Sequence, residues 1–362
     1  MRPLKSIFGN RSTPTLDYTT FWQWFTANAS KFFKVVQAGS RVDRDFLEPL
    51  ASKLELVKKE YYYVTGMYDE NTAELVFTAE GKIAQIVFVE ALVAAAPCIE
   101  NWKFTALKPE LKMEDIDIHM NDYRFNQNNL NFYANEHLAY PDEVDLVIVF
   151  DDYDEQDSET IRLGVYIFLD NYLGELKAAT TIDQLQVIGI AAAEKELIPV
   201  ARLKDYLNWR EKEFIEKYVE AEYHSNDDTY ATFEGQHASG KPLIAMMNTS
   251  LLNWESKASH PWIASIAIRY KDGNNGMPDE KAYKLINQFE KDITQELPDV
   301  QGYLNIGRQI GNGFCQMYIA CREFRKPSIV LYALENKYIN KFANLEVEIY
   351  KDKYWQTFEH FR

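Results

Sequence analysis

The chain has 362 residues, of which 46% are hydrophobic and 26% charged, and this composition is typical of a soluble globular protein. Its length favours two or more domains, because one hydrophobic core seldom serves so long a chain. The formal net charge is −16, and a surface of that sign repels both the phosphates of nucleic acids and anionic membranes. We therefore expect neither nucleic acid nor membrane among its partners.

Cysteine usage and the N-terminal residues favour a cytoplasmic protein. The three cysteines, Cys98, Cys315 and Cys321, are too few for a disulfide framework. Residues 1–8 carry basic side chains without the apolar stretch of a signal peptide. The most apolar run, residues 86–97, is interrupted by a glutamate and is shorter than a membrane span. We expect a reduced, cytoplasmic location.

The first part of the chain alternates between helical and strand-like patterns. Aromatic and aliphatic residues recur at helical spacing soon after Asp17, which suits the cap of a helix. The period then changes, and β-branched and aromatic residues flank a turn at residues 69–71. The predicted elements are helices at 15–36, 43–57 and 83–96 and strands at 61–68, 72–78 and 102–107.

The middle of the chain predicts more strands and two returning helices. Alternating apolar residues indicate short strands within residues 114–135. An acidic stretch at residues 151–159 separates two apolar runs, and a polar segment at residues 221–228 suits a linker. We expect residues 1–222 to form an α+β domain with an antiparallel sheet and helices. The predicted elements are strands at 145–150 and 160–169 and helices at 182–193 and 199–218.

The C-terminal part predicts strand, helix, strand, strand, helix and strand, preceded by a β-hairpin. Pro278 and the two acids after it suit the first turn of a helix, because proline fixes φ and carboxylates favour a helix N-terminus. Residues 311–313 favour a hairpin turn, because Asn-Gly accepts positive φ. We therefore expect residues 223–362 to form a ferredoxin-like βαββαβ sandwich whose second sheet face is free for a partner, a domain or a second copy. The predicted elements are strands at 229–234, 242–248, 263–270, 302–310, 314–321 and 345–350 and helices that start at 278 and 327.

Short runs of residues in the C-terminal third carry a family likeness. They are Gly240-Lys241-Pro242-Leu243-Ile244-Ala245, Asn248, His260-Pro261-Trp262, Asn275-Gly276-Met277-Pro278-Asp279, Gly307-Arg308 and Arg322-Glu323-Phe324-Arg325. In these runs the chain resembles a bacterial family catalogued as domain of unknown function 695. The resemblance implies no activity and no catalytic residue.

Two runs in the front half carry a second likeness. They are Glu90-Ala91-Leu92-Val93-Ala94-Ala95-Ala96-Pro97 and Trp102-Lys103-Phe104-Thr105-Ala106-Leu107-Lys108-Pro109. In them the chain is similar to an N-terminal module of uncharacterised bacterial proteins. This resemblance also implies no activity.

Motifs of known sites are incomplete in this sequence. The acidic stretch has partial calcium-loop spacing from Asp152, but Leu163 stands where the distal glutamate ligand is needed. The histidines and cysteines lack zinc-type spacing. Lys241 is followed by Pro242 where a phosphate loop needs Ser or Thr. We therefore expect no metal, no cofactor and no catalytic residues.

Basic residues in the C-terminal part stand out against the acidic background. Arginine side chains recognise carboxylates and phosphates, so a cluster of them suits an acidic partner or ligand. The alternative is ion pairing with the abundant aspartates and glutamates of the chain itself. The candidate binding surface consists of Arg308, Arg322, Arg325 and Lys326 with the loop residues Gly276, Met277 and Pro278.

The missing catalytic residues and the acidic charge favour a non-enzymatic protein-interaction or regulatory module. An alternative is an enzyme or small-ligand binder whose site lies in the cleft between the domains and uses Arg308 and Arg322. A third hypothesis is that the C-terminal domain mediates self-association.

Overall fold

The computed structural model describes residues 16–271 and 274–361. Helix and strand are mixed along the chain, as predicted. The expectation about a signal peptide, the predicted helix start at residue 15 and Gly273 of the predicted loop lie outside the described residues. Within those residues, no helix is both long and apolar enough to cross a membrane.

The first unit of the fold packs a long helix against a small sheet. The helix begins after Asp17, whose carboxylate accepts the amide N–H of Thr20 at 2.9 Å, and it ends at Gly39, which has positive φ. The second predicted helix is present, with a π-helical first turn at Asp43–Leu47 that runs into an α-helix. The elements are α1 Tyr18–Ala38, α2 Glu48–Val57, β1 Tyr62–Met67, β2 Ala73–Thr78, α3 Ile83–Ala94 and β3 Trp102–Ala106.

Two kinds of connection build the sheet of this first unit. β1 and β2 form the predicted antiparallel hairpin, in which Tyr62 pairs with Thr78. β2 and β3 are parallel, and α3 crosses over between them. α1 covers the sheet with aromatic side chains, and the rings of Phe25 and Trp102 meet edge to face at 5.1 Å.

The middle unit has a second sheet and its own hydrophobic core. Its elements are β4 Ile118–Met120, β5 Tyr123–Phe125, β6 Leu130–Asn135, β7 Asp145–Phe150, α4 Ser158–Leu173, α5 Glu175–Thr181, β8 Gln184–Gly189, β9 Ile198–Pro199 and α6 Leu203–Tyr218. The strand order is β8-β7-β6-β9, and β4 and β5 form a separate ribbon. Buried side chains from β6, β7, α4 and α6 make up the core.

The predicted strand at residues 160–169 is wrong, because this segment lies within α4. β-branched and aromatic residues dominate its composition and favour a strand. Periodicity is the better guide here than composition, since three- and four-residue spacing is the helical period. The buried residues with that spacing are Ile161, Gly164, Val165, Phe168, Leu169 and Tyr172.

The predicted helix at residues 182–193 is wrong, because β8 occupies the middle half of it. Leu185 and Val187 pack against the core and alternate with glutamines, which is the period of a strand. β8 runs parallel to β7, and α4 and α5 connect the two strands. The prediction of an antiparallel N-terminal sheet is therefore also wrong, since residues 16–222 contain two mixed sheets and a ribbon.

The C-terminal unit is built on a six-stranded sheet. Its elements are β10 Tyr230–Gln236, β11 Pro242–Asn248, α7 Thr249–Leu252, β12 Trp262–Arg269, α8 Glu280–Glu296, β13 Tyr303–Gly311, β14 Phe314–Cys321, α9 Arg325–Tyr338 and β15 Asn344–Lys351. The strand order is β10-β11-β13-β14-β12-β15, and all neighbouring pairs are antiparallel. Asp279 caps α8 by accepting the amide N–H of Ala282 at 2.7 Å. The strands and helices predicted for this part are present.

Different elements cover the two faces of the C-terminal sheet. α8 and α9 cover one face with buried side chains such as Phe289 and Leu331. On the other face, Trp355 and Phe358 of the C-terminal segment pack together with the leucines of α7. The expectation of one wholly free face is therefore wrong.

The first unit packs against the helix layer of the C-terminal sheet. The rings of Phe88 in α3 and Tyr332 in α9 lie 5.0 Å apart. Glu90 in α3 accepts two hydrogen bonds from Arg325, at 2.7 and 2.8 Å. Buried residues of both units form one continuous core. The boundary at residues 222 and 223 stays a prediction.

Charged side chains join the middle unit to the C-terminal unit. The carboxylate of Asp183 pairs with Lys351 at 2.7 Å and with Lys353 at 2.6 Å, and all three side chains are largely buried. Lys353 also donates to the backbone carbonyl of Asp142 at 2.7 Å. The C-terminal unit therefore contacts both of the other units.

Candidate functional site

The seven residues of the predicted binding surface lie at different ends of the β13–β14 hairpin. The loop that contains Gly276 contacts the turn, because its carbonyl accepts the amide N–H of Gly313 at 2.9 Å. Arg322 directly follows β14, at the opposite end, where β14 pairs with Tyr303. Arg308 lies between the two ends. The structure therefore does not bring the seven residues together.

Three of the basic residues have partners within the chain. Arg325 forms the ion pair with α3 described above. The guanidinium of Arg322 donates to the backbone carbonyl of Ala221. The ammonium of Lys326 donates to the side-chain oxygen of Gln301 at 2.5 Å. The contact of Arg325 is the pairing with an acidic side chain that the alternative describes, whereas the partners of Arg322 and Lys326 in these contacts are neutral.

Arg308 is a buried cation between β13 and α8. Only 7% of its surface is exposed. Its Nη1 donates to Oε2 of Glu290 at 2.6 Å and to Oδ1 of Asn287 at 2.8 Å, and its Nη2 donates to the hydroxyl of Tyr283 at 3.3 Å. Because charge-assisted hydrogen bonds are strong in a buried place, this network holds α8 against the sheet.

A β-bulge turns Arg308 toward α8. The pairing of β13 with β14 shifts between Asn305 and Gly307, so Ile306 is an extra residue and Arg308 points to the face that carries the helices. Gly307 has a φ of +143°, and a Cβ there would lie 2.3 Å from the carbonyl oxygen of Met246. Only glycine fits this position, which gives the Gly-Arg pair of the sequence a physical reason.

The β10–β11 hairpin has partly exposed side chains on the face of the sheet that carries α8. On this side of the sheet Met246 is 38% exposed, Tyr230 is 51% exposed and Tyr283 is 44% exposed. Cross-strand pairing places Met246 opposite Arg308. The α8 groove is defined by Tyr230, Thr232, Ile244 and Met246 on the hairpin, by Tyr283, Asn287 and Glu290 on α8, and by Arg308 between them.

The Gly-Met-Pro loop lies at the end of the groove where α8 begins. The hydroxyl of Tyr270 donates to the carbonyl of Gly276 at 2.8 Å. A Cβ on Gly276 would lie 2.9 Å from the amide nitrogen of Asn312, so glycine permits close contact with the turn. Met277 packs against the core, and Pro278 leads into α8. The loop therefore anchors α8 to the β13–β14 turn.

A cavity of about 300 Å³ lies at the other end of the groove. Its walls come from the segment before β10, from the C-terminal end of α8 and from the first residues of β13. Tyr230 lines both the cavity and the groove. Asp228 and Asp299 give the cavity two carboxylates, and none of its lining residues is basic.

Three buried groups near the sheet, His260, Cys315 and Cys321, are neutral at pH 7. Burial and the nearby Arg322 lower the pKa of His260 to about 3, and its Nδ1 lies 2.8 Å from the hydroxyl of Ser259. Burial raises the pKa of Cys315 to about 12 and also raises the pKa of Cys321, so both are unreactive thiols at neutral pH. In the part of the chain that the structure describes, no group of His, Cys, Asp and Glu could hold a metal ion.

Arg308 is one of the predicted binding residues, and its three partners on α8 are not among them. Tyr283, Asn287 and Glu290 recur at helical spacing along α8, and this polar stripe beside the apolar face is the signal that could have found them. The exposed position of Met246 has no such signal, because it depends on how much of the sheet α8 covers.

The C-terminal unit thus belongs to the class of antiparallel sheets with two helices on one face, here with an added hairpin and a groove. Residues 232–361 match the model of a protein family described as "Family of unknown function (DUF695)". This match confirms the resemblance predicted for the C-terminal third. No curated protein and no solved structure shows significant similarity to the chain. The matched range contains β11, α8 and β13, and so most of the α8 groove.

Proposed function

We propose that the C-terminal unit is a ferredoxin-like sandwich extended by the β10–β11 hairpin, and that it acts in the cytoplasm as a non-enzymatic protein-interaction or regulatory module. Its α8 groove binds an amphipathic helix of a protein partner. The βαββαβ order, together with the antiparallel strand order β13-β14-β12-β15, supports the ferredoxin-like assignment.

The observation that carries the proposal is the uncovered width of the sheet beside α8. Two strands spaced about 4.8 Å apart make a strip roughly 10 Å wide. A helix with its side chains is about 10–12 Å across, so one further helix fits beside α8. The exposed Met246, Tyr230 and Tyr283 offer apolar contacts to the apolar stripe of such a helix.

The buried network of Arg308 makes the groove rigid before a partner arrives. Its hydrogen bonds to Tyr283, Asn287 and Glu290 fix the wall of the groove against its floor. A preformed groove needs little rearrangement on binding, and this lowers the entropic cost of association. Rigidity of this kind suits recognition of a partner surface.

Two contacts count against the alternative of an enzyme or small-ligand site in an interdomain cleft. Arg308 is engaged with Glu290, and Arg322 is engaged with the carbonyl of Ala221. The lowered pKa of His260 also makes this imidazole a poor base at neutral pH. Arg308 and Arg322, on which this alternative depends, therefore have structural roles.

Site-specific photo-crosslinking tests the proposal. A photoreactive amino acid replaces Met246 in the groove or, as a matched control, Met67, which is 37% exposed on β1 and lies outside the groove. In cells that express the full chain, we expect cross-links from position 246, and not from position 67, to segments with a helical hydrophobic period. Equal products from both positions would overturn the proposal. Cross-links to a second copy of the chain would replace it with self-association.

A further inference from the structure

The cavity at the end of the α8 groove is acidic and aromatic. Two carboxylates, Asp228 and Asp299, and three rings, Tyr223, Tyr230 and Tyr303, line a volume of about 300 Å³. Carboxylates form charge-assisted hydrogen bonds with cations, and the faces of aromatic rings attract cations through their quadrupole. The chemistry of the lining therefore suits an organic cation.

The helix α8 adds to the negative potential of the cavity. It is 17 residues long, and the residues that follow its last turn, including Leu297, belong to the cavity wall. The carbonyl groups at the C-terminal end of a helix carry partial negative charge, which favours a nearby cation. This contribution is independent of the two carboxylates.

The carboxylates are held in place without being neutralised. Asp228 accepts hydrogen bonds from the hydroxyl of Tyr223 and from Nδ2 of Asn248, the latter at 2.5 Å. Asp299 accepts a hydrogen bond from the hydroxyl of Ser225. Because these donors are neutral, they fix the two carboxylates and leave their negative charge available to a ligand.

The tyrosine rings stay uncharged at neutral pH. Burial and the neighbouring Asp228 raise the pKa of both Tyr223 and Tyr230. Burial and the hydrogen bond to Glu323 raise the pKa of Tyr303 in the same way. The cavity thus presents neutral phenol rings beside two fixed anionic groups.

Three leucines contribute apolar atoms to the cavity wall. Leu297 follows α8, and Leu251 and Leu304 belong to the core on the other face of the sheet; together they suit the methylene stem of a long basic side chain. Tyr230 belongs to both the cavity and the groove, so a side chain of a helix in the groove reaches the cavity directly.

We propose that this cavity receives the ammonium or guanidinium group of a lysine or arginine side chain of the helix bound in the α8 groove. The inference rests on the proposed function of that groove. Asp228 and Asp299 pair with the cation, and the rings of Tyr223 and Tyr230 lie beside it, while the Tyr303 ring has the ammonium of Lys326 at 5.1 Å from its centroid. The partner is therefore an amphipathic helix with an apolar stripe and a basic residue near one end.

Titration of the full-length, ¹⁵N-labelled protein with N-acetyl-L-arginine amide tests the cavity separately from the groove. We expect the amide signals of Tyr230 and Asn305 to shift with the arginine amide and with its lysine analogue, and not with the neutral norleucine analogue. If neither cation shifted these signals, the inference about the cavity would be overturned. Cross-links from position 246 would still support binding of a helix in the groove.

Two lysine substitutions on α8 make the test specific. Thr294→Lys places a permanent ammonium group at the cavity wall on an exposed helical position. Gln295→Lys adds the same charge at the next exposed residue, outside the lining. We expect Thr294→Lys to weaken binding of the arginine amide at least about tenfold and Gln295→Lys to change it less than about twofold.

Equal weakening by the two lysine substitutions would overturn the inference, because only the overall charge would then matter. Binding of the arginine amide without any helical partner cross-linked from position 246 would also overturn it. In that case the cavity would bind a cation that no helix in the groove supplies. Weaker binding of the arginine amide to Thr294→Lys but not to Gln295→Lys, together with cross-links from position 246, supports both proposals.

Discussion

Arg308 owes its position to Gly307, whose φ of +143° permits the bulge in β13. Without the extra residue, the arginine side chain would point toward the opposite face, where Trp355 and Phe358 are buried. A cation buried there without a partner would be costly. The bulge instead places it beside Glu290, and this pair joins the helix layer to the sheet. The backbone conformation of Gly307 thus places Arg308 at the centre of the groove.

The first prediction concerns Gly307→Ala. The new Cβ would approach the carbonyl oxygen of Met246 in a backbone conformation that alanine rarely adopts, so we expect a loss of about 3 kcal/mol in the free energy of unfolding. Gly235→Ala is the matched control, because a Cβ at this glycine of β10 meets no atom within 4 Å. Urea denaturation should show a change within about 1 kcal/mol for the control. Similar losses in both variants would contradict the role of the bulge.

The second prediction concerns Glu290→Ala. Removal of this carboxylate leaves the buried Arg308 guanidinium without its anionic partner, so we expect a loss of about 3 kcal/mol in the free energy of unfolding. Glu296→Ala removes an exposed carboxylate from the end of the same helix and should change that free energy by less than about 0.5 kcal/mol. A Glu290→Ala variant as stable as this control would show that the ion pair does not hold α8.

Sequence patterns predict the helices and strands of the C-terminal unit well and those of the middle unit poorly. α8 could be predicted because its capping residue, its proline and its apolar period agree. α4 could not, because its β-branched composition opposes its helical period. The groove could not be predicted at all, since it depends on how many strands α8 and α9 cover. Local patterns therefore identify elements, while the relative placement of elements creates the site.

The third prediction concerns the contact between Gly164 of α4 and Phe125 of β5. In an exposed helix, Gly164→Ala would stabilise the chain by about 1 kcal/mol. Here the new Cβ would lie 2.2 Å from Cε2 of Phe125, so we expect a loss of about 2 kcal/mol instead, measured by urea denaturation. In a double-mutant cycle, the loss in the variant that carries both Gly164→Ala and Phe125→Leu should be smaller than the sum of the two single losses by at least about 1 kcal/mol. Additive losses would contradict this close contact.

In the whole molecule, both the first unit and the middle unit pack against the C-terminal unit. The first unit packs against α9 through Phe88 and Glu90, and the middle unit is attached through Asp183. β10 and β11 lie at the other end of the strand order from β15, which α3 approaches. The packing of the first unit therefore leaves the α8 groove accessible.

The fourth prediction concerns the contact between the middle and C-terminal units. Burial outweighs the attraction of Asp183 and lowers the pKa of Lys351 to about 8. The unfolded chain, in which a lysine has its ordinary higher pKa, then binds more protons above pH 8, so this residue makes the folded state more stable as the pH rises. The free energy of unfolding of the wild type, relative to Lys351→Met, should increase by about 1 kcal/mol between pH 8 and pH 9. If this difference in the free energy of unfolding stayed constant or fell over the same pH range, the lowered pKa of Lys351 would be contradicted.

The affinity of the cross-linked helix for variants of the full chain shows whether this helix binds in the α8 groove. A fluorescent synthetic peptide, copied from the segment that cross-links to position 246, is titrated with the wild type, with Met246→Glu and with Met67→Glu, all shown to be folded by thermal unfolding. We predict equal binding to the wild type and to Met67→Glu, and binding at least about tenfold weaker to Met246→Glu. Undiminished binding to Met246→Glu, or an equal loss in both variants, would contradict a partner helix in the α8 groove.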